Sequence, residues 1–116
     1  MANVLSTARY KNVKLDLTTT DVTTLYTCPP LMTTFVSSIL VSEDSGNSDA
    51  ITLTVTNGNS VFSIYKDKAI SSKGTLELLS NELVLISSDI LKVTATTANR
   101  LHVIASLVEV PKSTTA

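Results

Sequence analysis

Apolar and polar residues alternate along most of this 116-residue chain, and turn-forming residues break the alternation before a helical period can develop. Val13, Leu15 and Leu17 fall on one side of an extended run, with Lys14 and Asp16 on the other. That is the pattern of a strand with one wet face. A turn at residues 18–21 leads into a second run, 22–27, which stops at Pro29 and Pro30 because neither can donate a backbone hydrogen bond. Residues 33–41 resume with β-branched and apolar side chains suited to a pleat. Strict alternation there puts Phe35, Ser37, Ile39 and Val41 on one face and Val36, Ser38 and Leu40 on the other.

The polar loop at 43–49 precedes the most regular segment, residues 50–56. Ile51, Leu53 and Val55 point inward, and Thr52, Thr54 and Thr56 point outward. Asn57-Gly58-Asn59-Ser60 follows, and Asn-Gly accepts the positive φ of a tight hairpin. Residues 61–65 are therefore the expected return strand, with Phe62 and Ile64 on one face and Val61 and Tyr65 on the other. Residues 66–74 look polar and irregular. Two short runs, 75–79 and 83–86, are split by Ser80-Asn81-Glu82. Residues 90–96 and 101–110 supply the last two strands, and Pro111 ends the series. The expected core is Ile51, Leu53, Val55, Phe62, Ile64, Leu91, Val93 and Val103.

Eight or nine short strands about a dozen residues apart predict an all-β fold, a single-domain antiparallel β-sandwich that is jelly-roll-like. Residues 1–11 lack a period and read as an N-terminal arm, 12–111 as the sandwich, and 112–116 as a polar C-terminal tail.

Charged residues make up only 16% of the chain and its net charge is −1, so there is no basic face to hold nucleic acid. No apolar run is long enough to cross a bilayer, and no signal-peptide core appears at the start. The expectation is synthesis in a cytoplasm without membrane insertion. Cys28 is the single cysteine, so no disulfide can form within the chain. It reads as a small buried hydrophobe.

Candidate chemistry is sparse. His102 is the single histidine, and a Ser-His-Asp site would have to be built on it. It falls on the last strand and reads as a surface or interface side chain. One His and one Cys are too few ligands for zinc. Glu43, Asp44 and Asp49 share a loop without the alternating ligand pattern of a calcium site. Glu77 and Glu82 flank a turn and have no reason to act as a glycosidase pair. The sequence thus predicts no enzyme and no cofactor. A carbohydrate-binding sandwich is an alternative, but that class stacks sugars on exposed aromatics and this chain has no Trp and three Tyr.

An ordered set of segments carries a resemblance. Arg9-Tyr10-Lys11 comes first, then Leu25-Tyr26-Thr27-Cys28-Pro29-Pro30, then Val36-Ser37-Ser38-Ile39-Leu40-Val41. Lys73-Gly74-Thr75-Leu76-Glu77-Leu78-Leu79 precedes Leu83-Val84-Leu85, and Ser88-Asp89-Ile90-Leu91-Lys92-Val93-Thr94-Ala95 closes the set. In this order they resemble a family of small all-β virion structural proteins of tailed bacteriophages, especially those of marine and cyanobacterial hosts. That family often has Gly where this chain has Ser88.

The resemblance implies a structural subunit of a virion, favouring a capsid decoration (cement) protein on the outer shell. A neck, tail or fibre component is the alternative. The implied partners are the major capsid protein or another virion protein. Apolar residues on both sides of 36–41 and 101–110 predict a homo-oligomer, with a trimer favoured. The expected interface residues are Arg9, Tyr10, Lys11, Val36, Leu40 and His102.

Overall fold

The computed structural model describes residues 8–111. Nine strands account for most of them: β1 (Arg9–Asp16), β2 (Thr23–Thr27), β3 (Met32–Glu43), β4 (Asp49–Asn57), β5 (Ser60–Ile70), β6 (Thr75–Glu77), β7 (Leu83–Leu85), β8 (Ile90–Ala95) and β9 (Leu101–Pro111). They form two antiparallel sheets. Sheet A has the order β1-β9-β3, with β6 and β7 pairing one after the other along the far edge of β3. Sheet B has the order β2-β8-β4-β5.

The chain changes sheet at every connection except the β4–β5 hairpin and the β6–β7 link, so it winds around the sandwich as a jelly-roll-like fold. The first strand is hydrogen-bonded to the last along its whole length, Arg9 to Glu109 through Asp16 to His102. Between the sheets lies one core. Ile51 and Leu53 from β4, Leu91 and Val93 from β8, and Leu101, Val103 and Ala105 from β9 are all buried in it.

Several expectations change. The strand expected from residue 12 begins at Arg9, so Arg9, Tyr10 and Lys11 belong to sheet A and are not the end of an arm. Residues 1–7 of that arm and 112–116 of the tail lie outside the described residues.

The faces of β3 are not those of strict alternation. A bulge between Val36 and Ser38 inserts one extra residue against β9. Beyond it the phase inverts: Val36, Ile39 and Val41 are buried, while Phe35, Ser37 and Leu40 lie on the outer side.

On β5, Phe62 is 59% exposed and Ile64 is also open to solvent, so neither is core. Val55, opposite Phe62, is half-buried. Residues 66–70, expected to be irregular, extend β5 to Ile70. Two register shifts against β4, with Asp67 at φ 50°, scramble the period that marks a strand. The β4–β5 turn is Gly58-Asn59, and of these two only Gly58 has positive φ, as in a type II′ hairpin.

Candidate functional site: the outer face of sheet A

Register places the outward side chains of β1, β9 and β3 in rows across sheet A. Tyr10 lies beside Val108 and Phe35, and Val84 of β7 extends that row. Asn12 lies beside Ser106, which meets the bulged Ser37–Ser38 segment. Lys14 lies beside Ile104 and Leu40, and Asp16 beside His102 and Ser42. Tyr10 is 87% exposed, and Leu40, Ile104 and Val84 are all open to solvent.

Two shallow grooves cross this face. One, about 400 Å³, lies among Tyr10, Asn12, Ser37 and Ser106. The other, about 480 Å³, lies among Lys14, Asp16, Ser42, His102 and Ile104. The outer face of sheet B differs: its central rows pair Thr52 with Thr94 and Thr54 with Lys92. One face of the sandwich is therefore partly apolar and the other is polar.

His102 stands between two carboxylates. Its Nε2 is 3.2 Å from Asp16 Oδ1, and its Nδ1 is 3.6 Å from Asp44 Oδ2. Ser42 is its register neighbour, so Asp16, His102 and Ser42 share a row. With each ring nitrogen facing a carboxylate, none is left to take a proton from the Ser42 hydroxyl, as a triad requires.

Among the residues expected at an interface, Arg9, Tyr10, Lys11, Leu40 and His102 are exposed or half-exposed on sheet A. Tyr10, Leu40 and His102 come together on its outer face. Lys11 points to the inner side and pairs with buried Glu109 at 3.4 Å. Val36 is completely buried, because the bulge leaves it on the core side, and it has no surface to offer a partner.

Two polar clusters within the fold hold these elements in place. The Tyr26 hydroxyl donates to Glu109, and Thr34 is 2.8 Å from the same oxygen, so β2 of one sheet is joined to β3 and β9 of the other. Burial and the adjacent Glu109 carboxylate push the Tyr26 hydroxyl far above its ordinary pKa. The Cys28 thiol is fully buried and lies 3.4 Å from Thr34.

The second cluster surrounds Glu43. Burial opposes its charge, but the Ser45 hydroxyl and the backbone N–H groups of Lys73, Ser45 and Gly46 all donate to the carboxylate and lower its pKa to about 2. This fixes the β3–β4 loop that carries Asp44 toward His102. Neither cluster was expected from the sequence. A signal was present, since Glu109 continues the inward series Leu101, Val103, Ala105, Leu107, and Glu43 continues Ile39, Val41. A carboxylate at an inward position needs hydrogen-bonding partners.

No protein-family model matches the chain, and no curated protein matches it. Among solved structures, a chain of the acidic stable capsid structure of Helicobacter pylori bacteriophage KHP30 matches with a TM-score of 0.56 at 12% identity, over 90% of this chain and 89% of that one. A pentameric capsid protein isolated from metagenomic phage sequences matches with a TM-score of 0.45 at 18% identity, over 84% of this chain and 59% of that one. At 12% identity the likeness to the KHP30 chain is one of fold.

Proposed function

We propose that this protein is a structural subunit of a bacteriophage particle, specifically a capsid decoration (cement) protein that sits on the outer shell as a homo-oligomer. The observation that carries the reading is two separate apolar surfaces on one small sandwich. One is the outer face of sheet A, with Tyr10, Leu40 and Ile104 exposed; the other is β5, with Val61 and Phe62 exposed. Exposed apolar area marks contacts. A shell-bound oligomer needs two of them, one to its own kind and one to the protein beneath. The KHP30 capsid chain, which shares the fold over nearly the whole length of both chains, supports the same reading.

The test is a copy count on purified particles by quantitative mass spectrometry. Copies in the hundreds fit a capsid lattice. A handful would move the protein to a neck, tail or fibre, and absence from the particle would overturn the reading.

A further inference from the structure

We propose that the outer face of sheet A is the contact between two copies of this chain, related by a two-fold axis along the serine row at its centre. This rests on the structural-subunit reading above and assigns one of its two apolar surfaces to self-association. The rows dictate the arrangement. The uncharged row of Asn12, Ser106 and Ser38 has an apolar row on either side, Val108 with Phe35 and Ile104 with Leu40. Turning a second copy over about the serine row lays Val108 and Phe35 of one against Ile104 and Leu40 of the other. The contact occurs twice, once on each side of the axis. A two-fold interface must be self-complementary in just this way.

Charge agrees with the same operation. Asp16 and Asp44 flank His102 at one end of the face, and the rotation carries the mate's pair to the opposite end, so these like charges are kept apart. Lys14 is carried over the exposed Tyr10 ring, where a cation is attracted to the aromatic face. Glu77, at the far end of the Lys14 row, has its carboxylate turned to the β3 bulge, where it accepts from the Ile39 N–H and the Ser38 hydroxyl.

The area is sufficient. Four strands with the 11-residue β9 at their centre cover about 700 Å² per copy, or about 1,400 Å² for the pair, within the range of stable specific contacts. The threonine-rich outer face of sheet B has no comparable apolar rows. The arrangement predicts a pair in place of the trimer expected from the sequence.

The experiment uses the full chain. At tens of micromolar, sedimentation velocity is expected to give the mass of two chains for the parent and one chain for the Leu40→Asp, Ile104→Asp double variant. Ser106→Cys, on the axis, is expected to give a covalent pair with a short bis-maleimide. Ser63→Cys, exposed on β5, is expected to give none, and buried Cys28 does not react. A parent that sediments as one chain or as three or more, or equal cross-linking through Ser63→Cys, overturns the inference. If the double variant does not fold, the two cross-linking variants decide alone. Occupancy on particles is read separately. Occupancy without pairing overturns the pair only, and pairing without occupancy overturns the structural-subunit reading only.

Discussion

Ser88 is a single residue under identifiable strain. It is exposed, in the turn between β7 and β8, at φ 74°. A side chain in that region costs about 1–2 kcal/mol, which Gly avoids. The turn is kept by its neighbours: Ser88 N–H donates to Cys28 O, and buried Asp89 accepts from Ile86 N–H and from Asn57 Nδ2. Ser88→Gly should therefore raise stability by about 0.5–1 kcal/mol, after allowing for the greater freedom of Gly in the unfolded chain. A melting temperature equal to or below the parent's would refute this. Leu53 tests the core in the opposite direction. It is fully buried, and Leu53→Ala should cost about 2–5 kcal/mol, read from a denaturant titration. Glu43 gives a pH signature. Its folded pKa of about 2 lies below the usual value of 4.5, so on acidification the unfolded chain takes up the proton first. Its contribution is complete above about pH 4.5 and disappears as pH falls through about 2. Glu43→Gln should unfold more easily than the parent at neutral pH, and the gap should close toward pH 2. A gap that stays constant with pH would assign the effect to packing and not to charge.

Among the elements, β3 depends on a residue from another strand. The bulge turns the Ile39 N–H out of the ladder, and Glu77 of β6 accepts it at 2.7 Å, together with the Ser38 hydroxyl and Leu79 N–H. Although burial works against its charge, these donors hold the Glu77 carboxylate below its ordinary pKa. Removing them in Glu77→Ala should cost about 1–2 kcal/mol. Amide exchange should quicken at Ile39 and Leu79 before it does at Leu53. Uniform acceleration instead would mean the bulge is held by its neighbours alone. The same bulge shows where legibility ended. The strands were visible in the sequence because alternation is a local property. A one-residue insertion leaves no local mark, yet it reverses every side chain beyond it. Val36 was therefore expected at an interface and is core, while Leu40 was expected on the surface and is there. β5 lost its period to two register shifts in the same way. The short segments behind the resemblance turn out to be structural ties. Lys73 N–H and Gly74 O hold Glu43, and Asp89 holds the turn beside Cys28.

At the scale of the whole molecule, the sandwich class was legible and the strand order was not. The alternation of β1 through β9 is compatible with many windings. The order is decided by long-range pairing, such as β1 on β9, which no local pattern encodes. The outer surfaces were equally hidden, because exposure depends on what the other sheet covers. Phe62 faces the inner side, opposite Val55, yet remains mostly exposed. If sheet A's outer face is taken by a second copy and the proposed decoration role holds, β5 is the surface left for the shell. Its second half carries Lys66, Asp67 and Lys68, which guard that part of the edge, while Val61 and Phe62 leave the first half apolar and open. Val61→Thr with Phe62→Ser removes the apolar surface without adding charge and changes only side chains that are mostly exposed. The double variant should pair in solution as the parent does and melt within about 1 kcal/mol of it, as surface changes normally do. Its occupancy on purified particles should fall. Full occupancy with this variant would exclude β5 as the shell contact and leave the loop between β3 and β4, held by Glu43, as the surface to test next.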